Sequence, residues 1–314
     1  MPPLYRYDDL TNNYIRLKMP VTKLLKTLRP SFLVLTPAYI FLGLSTSLHS
    51  QHSINYSIFM LILFAAFCAH ISVNTLNEYF DFKSGLDFKT RKTAFSGGSG
   101  ALPDNPQLAR MTLTIGVVSL LVMISIGLYL LKECGLQILP IGLSGVALIL
   151  SYTQWLNRFP VACLIAPGLG FGVLMVVGTH VLLTGEQSLL VWLASLVAFF
   201  FANNLLLLNQ YPDIAADASI GRRTFPIAFG VKTSNLVYLF NMLASCSIIL
   251  FFIANNYVSS LGYIALLPLL FSAYSLYGAN KYLSAIADHP RYLAANVLAA
   301  LLTPVLLGIS LIYA

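Results

Sequence analysis

The chain has 314 residues, of which 58% are hydrophobic and only 9% are charged. A soluble domain carries about 25% charged residues, so this composition excludes a soluble globular protein and indicates a polytopic membrane protein. The net charge of +7 is no signal for nucleic-acid binding, because the placement of the basic residues has a topological explanation. The four cysteines are scattered without CxxC spacing, so neither a zinc site nor a disulfide framework is indicated.

The first 29 residues are a basic arm that precedes the apolar part of the chain. They contain six Lys and Arg residues and lack the apolar core of a cleavable signal peptide. Residues 15–28 are typical of an interfacial amphipathic helix. We therefore predict a cytoplasmic arm over residues 1–29 and a single transmembrane domain over residues 30–314.

Nine apolar segments follow the arm, each close to the roughly 20 residues that a membrane-spanning helix needs. They cover residues 31–48, 54–80, 108–131, 136–153, 161–183, 188–211, 233–254, 258–279 and 291–313. Of the 18 Lys and Arg residues, all except Lys132 lie in the arm, in loops that follow even-numbered segments, or at the segment ends beside those loops. Because basic loops favour the cytoplasm, we predict an all-α integral membrane protein with nine transmembrane helices in one bundle and a cytoplasmic N-terminus.

An acidic motif lies where the second segment ends. Asn77 and Asp81 are separated by four residues, which places them on one face of a helix. Gly85 is predicted to end that helix, so that the following loop returns Asp87 to the same site. Carboxylates beside hydrocarbon are costly and usually functional. Glu78 is interpreted as a solvated neighbour, because it points to another side of the helix.

The loop after this motif combines basic residues with the glycine-rich run at residues 95–100. Basic side chains and glycine-rich backbone amides suit a diphosphate group. Lys83, Arg91 and Lys92 are therefore candidate substrate-binding residues. The alternative is that they are ordinary positive-inside charges followed by a flexible linker.

A second acidic motif lies where the sixth segment ends. Asn209, Asp213 and Asp217 repeat at intervals of four residues, and Pro212 is predicted to disturb the helix between them. Arg222 and Arg223 follow directly and are further candidates for binding diphosphate. Four segments separate the two motifs, so the halves form a parallel internal repeat in which both clusters face one cavity.

Together the clusters supply the oxygen ligands that magnesium prefers. Mg²⁺ keeps several waters and takes one or two carboxylates per ion, with diphosphate oxygens completing its shell. A solitary aspartate at a membrane boundary is alternatively only solvated, but two copies at equivalent positions favour a metal role. We therefore predict a pair of Mg²⁺ ions bound by Asn77, Asp81, Asp87, Asn209, Asp213 and Asp217.

These motifs resemble those of the UbiA-type superfamily of intramembrane prenyltransferases, and the resemblance covers nearly the whole chain. The matching stretches are Leu28-Arg29-Pro30, Asn77-x3-Asp81-x5-Asp87, Asn209-x3-Asp213-x3-Asp217, Gly221, Thr224-Phe225-Pro226 and Phe229-Gly230. The five-residue gap between Asp81 and Asp87 is similar to the menaquinone-type branch, which prenylates 1,4-dihydroxy-2-naphthoate. Residues 167–172 lack the Gly-Glu pair that many members of that branch carry, and 4-hydroxybenzoate stays an alternative acceptor.

The resemblance implies Mg²⁺-dependent transfer of a polyprenyl group from its diphosphate to an aromatic ring. Asp81, Asp87, Asp213 and Asp217 would hold the metal that grips the diphosphate, and ionisation would leave an allylic cation in a dry pocket. The face of Tyr152 is a candidate to stabilise that cation; the alternative is an interfacial tyrosine. The implied location is a bacterial inner membrane, with the active site facing the cytoplasm.

Two other classes of protein are alternatives. Secondary transporters also contain repeats and broken helices, but their ionisable residues cluster near the bilayer midplane. CDP-alcohol phosphotransferases carry an Asp-Gly pattern closely followed by Ala-Arg, which this chain lacks. His70, His180, Asn203 and Asn204 lie within predicted helices and are interpreted as hydrogen-bonded packing residues.

Overall fold

A computed structural model describes residues 21–314, and the regular structure within that range is entirely helical. Eight helices are long and apolar enough to cross a membrane, which makes the chain a multi-pass integral membrane protein. A further apolar helix is shorter. In chain order they are α1 (Pro30–His49), α2 (Tyr56–Ser84), α3 (Pro106–Cys134), α4 (Leu136–Tyr152, the shorter one), α5 (Pro160–Thr184), α6 (Leu189–Ser219), α7 (Phe225–Ala254), α8 (Ser260–Asp288) and α9 (Pro290–Ile312).

Each of the nine predicted segments overlaps one of these helices. The eight long helices confirm eight of the predicted spans, whereas nine full crossings stay a prediction because α4 is short. The helix α7 begins at Phe225, upstream of the predicted segment, because its first turns precede a non-helical Gly230. Residues 1–20 of the predicted arm lie outside the described range, and Val21–Thr27 is a short helix in which Leu24 is buried.

Local sequence signals set where these helices begin and end. The Asn55 side chain accepts hydrogen bonds from the backbone N–H groups of Ser57 and Ile58 at the start of α2. Ser188 caps the start of α6 in the same way. Such caps satisfy backbone donors that have no partner within the helix. Between the ends, a helix in hydrocarbon satisfies its own backbone, which is why the apolar segments are helical.

The largest apolar core lies among α1, α5, α6 and α9. Helices approach closely there, since a Cβ at Gly172 of α5 would overlap the backbone of Phe199 in α6. The middle of α5, Gly168–Val177, has the wider π-helical geometry, which is frequent at functional sites. The helices α7 and α9 pack against α6, and α8 packs against α7 and α9. Among the described residues, a large cavity lies between helices α1 to α6.

Candidate active site

The cavity has a polar mouth and a long apolar interior. Its volume is about 520 Å³. On α2 it is lined at one end by Asp81 and at the other by Ile62, which corresponds to about 28 Å along the helix axis at 1.5 Å per residue. Apolar residues of α3, α4 and α5 line the interior. The shape therefore suits an amphiphile with a charged head and a long hydrocarbon tail.

The first acidic motif reaches the mouth through the end of α2. The helix stops at Ser84 because Gly85 takes a left-handed conformation with φ of 79°. The following turn, Leu86–Phe88, brings Asp87 back to the cavity, where its side chain is buried. The Asn77 amide donates a hydrogen bond of 3.0 Å to Asp81. The predicted role of Gly85 is thus confirmed.

The second acidic motif reaches the same mouth through a break in α6. The regular helix ends at Asn209, and Tyr211–Asp213 forms a 3₁₀ turn before the helix resumes over Ile214–Ser219. Pro212 lies inside that turn, as predicted, because it cannot donate the hydrogen bond that a continuous helix needs. The cavity lining includes every residue that the sequence predicted as a ligand: Asn77, Asp81, Asp87, Asn209, Asp213 and Asp217.

One guanidinium joins the two motifs. Arg222 donates to Asp81 of the first motif, and its Nη1 lies 3.0 Å from Asp217 Oδ1 of the second. All three side chains are largely buried. Buried carboxylates need a nearby cation. Arg222 therefore supplies the positive charge that lets carboxylates from both halves of the chain approach each other.

Several oxygens at the mouth fit a cation. Within the described part of the chain, Asp87 Oδ2, Asn209 Oδ1 and Asp213 Oδ1 are buried without a hydrogen-bond partner. Burial raises the pKa of Asp87 to about 7, and the nearby charges of Glu78 and Asp81 contribute. A divalent cation beside these atoms would satisfy them and favour the ionised carboxylate.

The protein side chains do not form a complete metal site by themselves. Among residues 21–314, no group of three or more His, Cys, Asp or Glu side chains converges closely enough to hold an ion. Mg²⁺ keeps open positions for water and phosphate oxygens, so a spread set of carboxylates is compatible with it. The donor set therefore fits a metal whose shell is completed by an anionic ligand.

The glycine-rich loop crosses the mouth and touches both halves. Phe95, Ser96, Gly97 and Gly98 line the cavity. The Gly97 N–H donates to Asp213 Oδ2 at 3.1 Å. The loop thus lies between the two acidic motifs. The Gly97 amide, which is expected from the sequence to suit a diphosphate, donates to a carboxylate instead.

Glu78 is not a solvated neighbour, and that interpretation was wrong. Its side chain is fully buried and pairs with Arg29, with 2.6 Å between Glu78 Oε1 and Arg29 Nη2. Ser99 also donates to it. The face of α2 that carries Glu78 packs against the start of α1 and the glycine-rich loop instead of water. Arg29 also lines the cavity and is not among the site residues predicted from the sequence. A largely buried arginine requires an acidic partner, and Glu78 is that partner.

Of the five basic candidates, Arg222 alone lines the cavity. Lys83 lies over the ring of Tyr79, with 5.9 Å from Nζ to the ring centroid. The Arg91 side chain pairs with Asp288 at 2.6 Å. Lys92 approaches the carbonyl oxygen of Gly100 at 3.5 Å. Arg223 is exposed. Their predicted contact with diphosphate stays a prediction.

Tyr152 lines the cavity at the end of α4.

The packing roles predicted for the helix-interior residues are confirmed by their hydrogen bonds. His70 Nδ1 lies 2.8 Å from Thr36 Oγ1, and His180 Nδ1 lies 3.0 Å from Thr46 Oγ1. Asn203 accepts from the Gly168 backbone, and Asn204 donates to the Tyr238 backbone. His70 also borders the cavity.

The fold is that of a helical membrane protein whose acidic motifs meet at the mouth of one apolar cavity, and comparison with known proteins identifies the family. The chain belongs to the UbiA prenyltransferase family, whose model matches residues 34–291. Over 180 residues it is 28% identical to 1,4-dihydroxy-2-naphthoate octaprenyltransferase of Bacillus subtilis (strain 168). That alignment covers 56% of this chain and 56% of the relative, so the chain spans about half the length of the curated relative it matches.

Solved structures of low identity share the fold. A UbiA homolog from Archaeoglobus fulgidus bound to GPP and Mg²⁺ superposes with a TM-score of 0.64 at 13% identity, covering 92% of this chain and 99% of that one. The same homolog bound to DMAPP and Mg²⁺ gives a TM-score of 0.60 at 13% identity, over 88% and 99%. These matches establish the fold, in agreement with the family match over residues 34–291.

Proposed function

We propose that this enzyme transfers a polyprenyl group from a polyprenyl diphosphate to an aromatic acceptor, which is 1,4-dihydroxy-2-naphthoate in menaquinone biosynthesis. The observation that carries the proposal is the meeting of two acidic motifs at the mouth of one long apolar cavity. The name of the Bacillus subtilis relative supports this acceptor. The ligands of the Archaeoglobus fulgidus homolog support a prenyl diphosphate donor.

In this proposal a pair of Mg²⁺ ions is held by the four motif aspartates with Asn77 and Asn209. When bound, magnesium supplies Lewis-acid stabilisation of charge on the leaving diphosphate. The unpartnered oxygens of Asp87, Asn209 and Asp213 support these ligand assignments. Lys83, Arg91, Lys92, Arg222 and Arg223 are the proposed basic residues for the diphosphate. Arg222 has the strongest structural support, because it lines the cavity.

The chain's own residues would orient the donor and protect the reaction. The C1–O bond of the donor breaks with its electron pair on the diphosphate, and an electron-rich ring carbon attacks C1. Where the attacked carbon bears the carboxylate, its loss as CO₂ returns the bonding pair to the ring. The face of Tyr152 would stabilise the allylic cation, and the apolar cavity wall would exclude water.

The proposal extends to the arrangement in the membrane. Residues 1–29 form a cytoplasmic arm, and residues 30–314 form one domain with nine crossings and a parallel repeat. The active site faces the cytoplasm of a bacterial inner membrane. The basic loops at the motif ends of the helices support this orientation.

The test is to incubate the purified enzyme with a polyprenyl diphosphate, Mg²⁺ and either dihydroxynaphthoate or 4-hydroxybenzoate, and to identify products by mass. We expect a prenylated naphthalene-diol that has lost CO₂. If only 4-hydroxybenzoate gives a prenylated product, the acceptor is 4-hydroxybenzoate instead of dihydroxynaphthoate. Absence of any prenylated product, with the protein folded and the donor intact, would reject the proposal.

A further inference from the structure

Glu78 is a fully buried carboxylate that is not among the proposed metal ligands. Its two oxygens accept four short contacts. Oε1 accepts from Arg29 Nε at 2.7 Å, from Arg29 Nη2 at 2.6 Å and from the Ser99 N–H at 2.8 Å. Oε2 accepts from Ser99 Oγ at 2.7 Å. A buried charge with this many donors is well ordered, so it fixes the position of both partners.

Arg29 lines the same cavity as Arg222. A guanidinium has five N–H donors, and only the Nε and one Nη2 donor are directed at Glu78. The remaining N–H donors of Arg29 are not directed at Glu78. The Arg29 side chain lines the cavity and is 25% exposed. A planar fork of this kind matches phosphate oxygens.

The backbone at Arg29 shows that its position is constrained. Its φ of 51° is left-handed, which is unusual for a residue other than glycine. The preceding carbonyl of Leu28 accepts a hydrogen bond of 2.9 Å from Asn74 on α2. Backbone strain of this kind persists where surrounding contacts impose it, and it is concentrated at functional sites.

The other partner of Glu78 is the glycine-rich loop. Ser99 is bonded to Glu78, and Gly97, two residues earlier, is bonded to Asp213. The chain between them is close to the carboxylates, since a Cβ at Gly98 would lie 2.9 Å from Asp87 Oδ1 and 3.5 Å from Glu78 Oε1. Glu78 therefore connects the start of α1 to the loop that covers the mouth.

We propose that Glu78 is a positioning residue that holds Arg29 and the glycine-rich loop around the diphosphate end of the donor, and that Arg29 binds that diphosphate directly. The inference rests on the proposed function and adds two residues to it. Glu78 acts through its partners, and Arg29 is the substrate-binding group.

The test compares donor binding with donor turnover in Glu78→Gln and Arg29→Gln. Purified, full-length protein is titrated with geranyl S-thiolodiphosphate and Mg²⁺, a donor analogue that is not cleaved, so the acceptor plays no part. We expect each substitution to weaken binding by about 10- to 100-fold, the range typical when a supporting residue is lost. In turnover, the KM for donor should rise while the KM for acceptor stays unchanged.

Conservative and double variants separate positioning from general stability. Glu78→Asp keeps the charge and should recover part of the affinity. The double variant Glu78→Gln with Arg29→Gln should lose less affinity than the sum of the two single losses, because both substitutions remove the contact that Arg29 makes with the diphosphate. The matched control is Ser72→Ala on the same helix, which loses a buried 2.9 Å hydrogen bond to the Gly116 carbonyl and does not line the cavity. It should unfold at a lower temperature with unchanged affinity.

Two results would overturn the inference. One is a folded Glu78→Gln protein with wild-type affinity for the analogue. The other is a double variant whose loss is the sum of the single losses. Wild-type protein that does not bind the analogue would reject the proposed function as well, whereas a failed acceptor assay leaves the binding comparison valid.

Discussion

Two aspartates from different halves of the chain, Asp81 and Asp213, provide the most direct test at the scale of single residues. Replacing either with alanine removes a proposed magnesium ligand, and we expect transfer to fall by about 10²- to 10³-fold or more. Initial rates with saturating donor and acceptor measure this loss. Asp104→Ala is the control, because Asp104 is 57% exposed and forms a loose pair with Lys23 at 3.9 Å. An active Asp81→Ala, Asp213→Ala double variant would contradict the mechanism.

Arg222 allows the metal to be tested without an activity assay. Arg222→Gln leaves Asp81 and Asp217 buried without their shared guanidinium, and breaking a buried pair costs about 3–5 kcal/mol. We expect a lower unfolding temperature in EDTA and a larger gain from Mg²⁺ than wild type shows, since the cation replaces the lost charge. Arg91→Gln is the control: its pair with Asp288 is exposed, at 70% and 52%, and contributes little. Equal unfolding temperatures in EDTA would contradict this role of Arg222.

At the scale of elements, the glycine-rich loop depends on backbone that other residues rarely adopt. Gly98 has a φ of 72°, and a Cβ there would press on Asp87 Oδ1 at 2.9 Å. We therefore expect Gly98→Ala to displace the loop and weaken binding of the uncleaved donor analogue. Gly185→Ala is the matched control, because Gly185 has a φ of 77°, ends α5 and is not part of the cavity lining. If both variants lost affinity for the analogue to the same extent, backbone strain would explain the loss and the contact of Gly98 with Asp87 would not.

The same elements show what local sequence could predict. Gly85 and Pro212 act on the backbone beside them, so the end of α2 and the break in α6 followed from the sequence. Glu78 is also on α2, but its surroundings come from the start of α1 and from the loop at Ser99, which are distant along the chain. Helix periodicity gave its direction and could not give its partners. Arg91 and Arg223 failed to reach the cavity for a related reason, since loop side chains have no period that fixes their direction.

For the whole molecule, the number of membrane crossings determines on which side of the membrane the C-terminal residue Ala314 lies. Nine spans with a cytoplasmic N-terminus place Ala314 outside, whereas eight place it inside. The short helix α4 decides between them, because its 17 residues are at the lower limit for spanning. In a variant without native cysteines, we expect Ala314→Cys and Gln187→Cys to react with an impermeant maleimide in intact cells. Ser219→Cys should react only after permeabilisation, and labelling of Ala314→Cys only then would leave eight crossings.

The depth of the cavity is a property of the packed bundle, so the sequence could predict two acidic motifs at one end but not the space behind them. Gly142 of α4 lines that space, and nothing lies within 4 Å of a Cβ built there. The adjacent Leu143 also lines the cavity while being 61% exposed. The cavity therefore borders the lipid-facing side of α4, where a tail longer than the interior can leave the bundle.

Filling this part of the cavity should shorten the tail that the enzyme accepts. Gly142→Phe puts a ring about 15 Å along α4 from Tyr152, at 1.5 Å per residue. Short donors such as geranyl diphosphate end before that depth and should react as before, whereas long polyprenyl diphosphates should lose about tenfold or more in kcat/KM. Ser125→Phe is the matched control, because Ser125 is exposed on α3 and does not line the cavity. Equal losses for short and long donors would mean that the tail follows another route.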